Sequence, residues 1–518
     1  MKYRLIFIVL LLALIIPTSS QAQRKTEPEV LISGSDNLSN FEAFSLAAAA
    51  GSVDKQINLL ILPLSLTSEA FPIEAGKQKE TQEKAESVRS EMEAACRKAL
   101  AQTAQAQAPN CTVKIASLFL PKDAENKEIL SLFEEALDGI YLLASNPHNA
   151  LQVISGTPIE TALNQAYQDG VLLAGSAPGL FSSAIIQVAT QGSHLDSRFN
   201  FGAVSVLSPP ELQALDFNLP GSLVESQVYA QNQVNALLRA ITLSRSHSLG
   251  VGIDDSAALL KSGSNRLQVI TGSSPVLILD AHTYQAVQSV RYTGAFQPTG
   301  AGNILAHWLL PSDQFFDIES RRHSLAPPAE RIVRNSQPLR LPSGAGSLFL
   351  SADLSETRGL SQALTQFINQ AGGQRANLLL LAIGYADAQG VQKLAEVFEK
   401  AAGIPIQTLS LPIDASSIGE IPADVTGVII SAPSTVTVDP RYLQSTGQSI
   451  GPKWRAGLPV WLNNAAAAWV GTDTIQDPAN GNLSTAFLLD AQQIQPALNW
   501  LPITLRSHIW DENHWSEI

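Results

Sequence analysis

Cysteine is almost missing from the 518 residues: there are two, Cys96 and Cys111. So few thiols exclude a cysteine-rich scaffold or a thiolate metal centre. Cys96 sits in a helical pattern rich in Glu, Lys and Ala, and Cys111 follows Asn110 with no turn chemistry, so neither reads as a nucleophile. In an oxidising compartment the pair can close a disulfide; two separate thiols are the alternative. Basic charge is also short, with a net charge of -13 and a pI near 5.1. Nucleic acid and anionic membrane surfaces both require a basic face, so neither is an expected partner. The acidic pair Asp254-Asp255 has no third ligand at fixed spacing, and no metal or cofactor is expected.

Long apolar runs are lacking too, apart from one at the start. Residues 5–16 are apolar, preceded by Lys2 and Arg4 and followed by Ser20-Gln21-Ala22. About a dozen apolar residues fall short of the ~20 needed to span a bilayer. The pattern is that of a secretory signal cleaved after Ala22. It implies an extracytoplasmic protein, secreted, periplasmic or at the cell surface, with no membrane span after cleavage. No cysteine follows the run, so a lipid-modified terminus is not expected.

What is present is a regular alternation. Apolar strands at residues 30–33 (VLIS), 57–62 (INLLIL), 139–143 (GIYLL) and 171–174 (VLLA) alternate with helical patterns at 41–50, 77–108, 128–137 and 161–167. Apolar runs of this length, separated by helices, imply parallel strands covered on both faces. Residues 269–270 and 276–280 read as a closing hairpin around Gly272. Residues 297–342, rich in Pro, Arg and Ser, read as a linker or covering excursion, with Arg321-Arg322-His323 a solvated basic patch.

The order then repeats. Residues 347–351, 377–383, 426–431 and 458–468 mirror residues 31–33, 57–62, 139–143 and 171–180. The expectation is an α/β protein of two three-layer domains with mostly parallel sheets, built by internal duplication. The expected boundaries are 1–22 for the signal, 23–296 for the first domain, 297–342 for the linker and 343–518 for the second domain.

Ligands of such sheets bind beyond the carboxyl ends of the strands, which directs attention to residues 171–180, VLLAGSAPGL. There a buried strand enters a small-residue turn followed by the helix-like FSSAIIQVA, an arrangement that displays a nucleophile in several hydrolase folds. Ser176 is the candidate.

Around this turn the chain resembles the cyanophycinase family of serine peptidases, which have a class I glutamine amidotransferase-like fold. Ser155-Gly156-Thr157-Pro158 matches the family's GTP element, Ala174-Gly175 matches the start of its AGTSAGA turn, and residues 250–259 (GVGIDDSAAL) match its GIGIDEDTAL segment. The resemblance covers residues 30–280 and implies a serine-type exopeptidase acting on aspartyl peptides or isopeptides. Its catalytic positions depart from the pattern. The nucleophile falls on Ala177, the histidine base on Gln227, the glutamate on Asp255, and the TGGDQ-like turn on residues 143–147, which include Asn146. Alanine lacks an attacking atom, and a glutamine amide cannot take a proton at neutral pH.

The resemblance therefore implies a catalytically degenerate relative that keeps its cleft for a small peptide ligand or a protein partner. The alternative is a divergent hydrolase using Ser176 with His148, which lies on the same rim, and Asp255. Asn146, Gln227, Asn463 and Asn464 are the candidate binding residues. The last two occupy the corresponding turn of the repeat. Trp454, Trp461 and Trp469 are read as core packing, with a ligand platform as the alternative.

Overall fold

The computed structural model describes residues 28–51, 56–65, 75–102, 110–188, 204–207, 215, 217, 219–229, 233–244, 246–263, 265–272, 274–283, 285–287, 300–324, 341–351, 361–412, 418–433, 439–476 and 493–503. The expected signal, residues 1–22, and Trp510 and Trp515 lie outside them. Contacts divide the chain into two compact units, Met1–Glu330 and Arg331–Ile518.

In the first unit, β1 (Val30–Ser33), β2 (Gln56–Ser65), β3 (Asn110–Ile115), β4 (Gly139–Ala144) and β5 (Leu172–Gly175) form a parallel sheet in the order β1-β5-β4-β2-β3. Helices α1 (Leu38–Gly51) and α2 (Ala75–Gln102) cover one face. Ala85, Val88, Met92, Ala95, Cys96 and Leu100 of α2 are buried there, at the three- and four-residue spacing of one helical stripe. A short helix α3 (Lys127–Ser131) precedes β4. On the other face lie α4 (Pro147–Ile154) and α5 (Pro158–Gln168), together with residues of a second sheet. Strands of Leu, Ile and Val buried on both faces follow from this covering.

Beyond β5, the expected helix is absent. Pro178–Phe181 makes one 3₁₀ turn, and β6 (Ile185–Val188) then pairs with β7 (Val204–Leu207). Pro178 starts the turn, while Ser182, Ser183 and two adjacent isoleucines favour an extended path. Next come β8 (Ser222–Ser226), α6 (Val234–Leu243), β9 (Leu249–Ile253), β10 (Ala258–Lys261), β11 (Arg266–Thr271) and β12 (Val276–Asp280). The expected hairpin around Gly272 does not form. β11 joins the main sheet through β10, which pairs antiparallel with β1, whereas β12 pairs with β9 in the second sheet. A small ladder, β13 (Gln285–Val287) with β14 (Gly300–Gly302), follows.

The stretch expected as a linker also contributes structure to this unit. β15 (Leu305–Leu309) completes the second sheet, ordered β15-β12-β9-β8, and β16 (Phe316–Asp317) and β17 (Arg322–His323) extend the main sheet to nine strands. Its short apolar island buries Leu309 and Phe316 in the main core. Arg321, expected in solvent, instead bonds the buried Asp280 carboxylate at 2.6 Å. An unpaired buried carboxylate would be costly, which accounts for the recruitment.

The second unit has β18 (Leu348–Ser351), α7 (Ser361–Gln370), β19 (Leu378–Ile383), α8 (Ala388–Ala402), β20 (Gln407–Leu411), β21 (Gly427–Ala432), α9 (Pro440–Arg455), β22 (Val460–Asn464) and α10 (Ala465–Ala468), and ends in the pair β23 (Asp473–Gln476) and β24 (Gln493–Pro496). Its parallel sheet is ordered β18-β22-β21-β19-β20, which strand for strand is the order β1-β5-β4-β2-β3. Helices α7 and α8 pack on one face and α9 on the other. Trp454, Trp461 and Trp469 are all buried core residues. Trp461 stacks on Phe349 and meets Phe367 and Phe398 edge-on, and Trp454 stacks on Trp500.

Cys96 and Cys111 are joined, tying α2 to the edge strand β3 across a sequence separation of 15. Replacing both by serine is expected to lower the first unit's unfolding free energy by about 3 kcal/mol, the chain-entropy effect of a ring of that size. The shift in its denaturant midpoint measures this.

Candidate functional site

The carboxyl ends of β1, β5, β8 and β9 converge through one close approach. A side chain at Gly34 would collide with the Asp254 carbonyl oxygen, its Cβ falling 1.8 Å away. Only glycine lets the loop after β1 lie against the loop after β9. The contact is sealed by the Asp255 carbonyl, which accepts hydrogen bonds from Ser35 Oγ (2.5 Å) and Asn37 Nδ2 (3.0 Å). Asp36 is thereby placed over the end of β5.

Ser176, the residue after β5, donates from Oγ to the Ala144 carbonyl at 3.5 Å, and the Tyr141 hydroxyl donates to Asp36 Oδ1 at 2.9 Å. Ser33 Oγ lies 3.1 Å from the same hydroxyl and donates to the Gly175 carbonyl at 2.9 Å. Burial raises the proton affinity of the Asp36 carboxyl, and the neighbouring Ser176 and Tyr141 hydroxyls partly offset that. Burial, with the adjacent Asp36 carboxylate, holds the Tyr141 phenol well above its usual range. Asp36 and Tyr141 complete a cluster that strand periodicity alone does not reveal. The one local signal was the turn Gly34-Ser35-Asp36-Asn37.

Gln227 and Asp255, 28 residues apart in sequence, are brought together. Gln227 Nε2 donates to Asp255 Oδ1 at 2.8 Å, from a backbone held at φ 52°. Two residues earlier, Glu225 is partly exposed as a residue, yet the protein packed around its carboxyl pushes its pKa up to about 7.

Ala177 is 3 % exposed, its side chain among the apolar core residues and its backbone relaxed at φ -102°, ψ 83°. Pro178 disfavours helical geometry at the residue before it. His148 is the second residue of α4, and among the described residues no hydrogen bond joins a histidine to Ser176. Asn146 is not a free binding group either. Its Oδ1 caps α4, accepting from the backbone N–H of His148 (2.9 Å) and Asn149 (3.3 Å).

Strand register carries these positions into the second unit. Ile32 pairs with Gly175, so Ser33 stands level with Ser176; Ser351, the last residue of β18, pairs with Asn463. Asn463 thus occupies the place of Ser176, and Asn464 that of Ala177. Asn464 has φ 60° and ψ -134°, outside the left-handed helical well that asparagine tolerates. It sits between a strand and a helix, the strained corner on which hydrolases mount a nucleophile. The positive φ is found at this position in the second unit and not at Ala177 in the first.

No protein-family model matches the chain, and no curated protein matches it. Among solved structures, a peptidase from an acI-B1 Actinobacterium matches at 16% identity with a TM-score of 0.35, over 55% of this chain and 99% of that one. A protein provisionally described as peptidase E, from Listeria monocytogenes EGD-e, matches at 16% identity with a TM-score of 0.27, over 47% of this chain and 98% of its own.

Glu225 generates a pH prediction. With its folded-state pKa raised to about 7 from an ordinary 4.5, the native state retains a proton that the unfolded chain releases in that window. Stability contributed by this group falls as pH rises through the window and levels off above it. Glu225→Gln is expected to exceed the wild type in stability by up to about 3 kcal/mol near pH 8. Urea unfolding should show the two converging as the pH approaches 4.5.

Proposed function

We propose that the chain is an exported relative of the cyanophycinase-type serine peptidases whose first unit no longer hydrolyses peptides and uses its rim to bind a small peptide. The observation that carries this reading is the Gln227–Asp255 hydrogen bond beside a buried Ala177. The carboxylate still has a partner to orient, but that partner is an amide that donates and cannot accept a proton, and the neighbouring turn offers no attacking atom at the nucleophile position. The family's degraded motifs and the surviving strand-to-turn geometry support it from the sequence side.

The rim is acidic, with Asp36 and Asp255 on adjoining loops and Glu225 near the end of β8, and Lys84 is the cation that acts on Asp36. The rim suits a peptide carrying a cationic group, and an aspartyl-arginine dipeptide fits both this charge and the resemblance. Calorimetry is expected to show such a dipeptide binding without cleavage. Gln227→Ala should weaken binding about tenfold, as loss of one polar contact does. Cleavage of the dipeptide that disappears in Ser176→Ala would overturn the proposal.

A second reading, a divergent hydrolase acting through Ser176, has one observation in its favour, the nearness of the Ser176 hydroxyl to the Asp36 carboxyl, whose proton affinity it lowers while burial raises it. A carboxylate with raised proton affinity is a stronger base than an ordinary aspartate. Covalent labelling of Ser176 by a fluorophosphonate probe would establish that reading; the degenerate-site proposal expects none. Export has its own readout: the mature protein purified from a secreting host should begin at Gln23, as determined by mass spectrometry.

A further inference from the structure

The second unit's sheet ends on β20, which pairs with β19 on one side only. The Leu411 carbonyl accepts from the Gly384 N–H at 2.9 Å, so Gln407, Leu409 and Leu411 turn their backbone groups toward β19. The alternate residues Ile406, Thr408 and Ser410 turn theirs outward. The first of these N–H groups is met within the chain, by Glu399 Oε1 at 3.0 Å. The outward N–H and C=O groups of Thr408 and Ser410 have no hydrogen-bond partner among the described residues. Such a row invites a further strand, and edges are normally guarded by a charge, a proline, a bulge or a covering element. The equivalent edge of the first unit is guarded: β3 carries Lys114, held by Glu135 at 2.6 Å, and Cys111 bonds it to α2. The β20 edge has none of these. It runs in register without a bulge, Gln407, Thr408, Leu409 and Ser410 are all exposed, and residues 401–413 carry no charge.

We propose that β20 is a dimerisation edge, onto which a second copy of this chain adds its own β20 antiparallel about a two-fold axis through Leu409. The strand is self-complementary about that residue. Thr408 comes opposite the partner's Ser410, and Ser410 opposite the partner's Thr408. Both are outward residues, so each pair exchanges N–H and C=O groups as a hydrogen-bonded antiparallel pair does. Their hydroxyls are a favourable cross-strand combination as well. Leu409 meets the partner's Leu409 at the non-hydrogen-bonded position, where side chains approach most closely, and both leave water. The ladder stops beyond these pairs: Ile406 has given its N–H to Glu399, and Pro412, which would stand opposite, has none to give. An unrelated extended peptide would lack this symmetry, and an isologous contact closes at the dimer. The edge belongs to the second unit and does not depend on how the acidic rim of the first is used.

Sedimentation equilibrium of the full chain is expected to show a reversible, concentration-dependent dimer. Leu409→Lys sets like charges directly opposite each other and should raise the dissociation constant about tenfold or more. Its melting temperature, read where both proteins are monomeric, should not change, because the Leu409 side chain is 38 % exposed. Leu350, 39 % exposed on the opposite edge strand β18, supplies the control: Leu350→Lys should leave the dimer intact. A monomer at every concentration, or a dimer that survives Leu409→Lys or is broken by Leu350→Lys, would overturn the proposal.

A second measurement reads the register. Both native cysteines are held in the disulfide, so an introduced thiol reports alone. Facing residues at a non-hydrogen-bonded antiparallel position lie about 4.5 Å apart at Cα, within reach of a disulfide. Leu409→Cys should therefore give a covalent dimer on mild oxidation, visible on a non-reducing gel, and Leu350→Cys should not. Cross-linking of the two variants to the same extent would show that the copies do not meet about Leu409, and the proposal would fail.

Discussion

Parallel strands buried on both faces leave only their ends available for chemistry. That constraint organises both units. Once helices cover the two faces of the order β1-β5-β4-β2-β3, or of its counterpart β18-β22-β21-β19-β20, polar groups that are to meet a ligand must sit in the loops beyond the carboxyl ends. Asp36, Ser176, Gln227 and Asp255 do so in the first unit; in the second, Tyr385 follows β19, while Ser351, Ser431, Asn463 and Asn464 are at the carboxyl ends of the strands themselves. The cores supply rigidity: Trp461 with its three phenylalanine neighbours lies directly beneath the second cluster and donates its indole N–H into it.

The two units differ at the equivalent turn. In the first, Ala177 is a core residue whose backbone lies at φ -102° ahead of Pro178, and Gln227 bonds to Asp255 on the adjoining loops. In the second, Asn464 has a positive φ between β22 and α10, next to the buried Asn463.

Much of this was legible in the residues. Apolar runs of four to six residues between helical stripes specified parallel strands, and their recurrence after residue 343 specified the duplication that the matching strand orders display. Where the reading failed, a competing preference had won locally. Residues 178–188 broke into a 3₁₀ turn and a strand because Pro178 and the paired isoleucines oppose helix. Residues 305–323 joined the sheets because Leu309 and Phe316 had a core to enter. Arg321 left solvent because Asp280 needed a counter-charge.

The sequence by itself determined the α/β class, the order of the repeat and the residue types, alanine and glutamine, at positions 177 and 227, because these depend on residue type and spacing along the chain. Only the tertiary structure decided that Asp36 and Tyr141 meet near the end of β5, that Asn146 Oδ1 caps α4, and that Asn464 alone of the two equivalent positions has a positive φ. Those outcomes depend on which loops come within ångströms of each other, such as Gly34 against the Asp254 carbonyl across some 220 residues of sequence. No local pattern encodes such an approach; it follows from the packing of the whole unit.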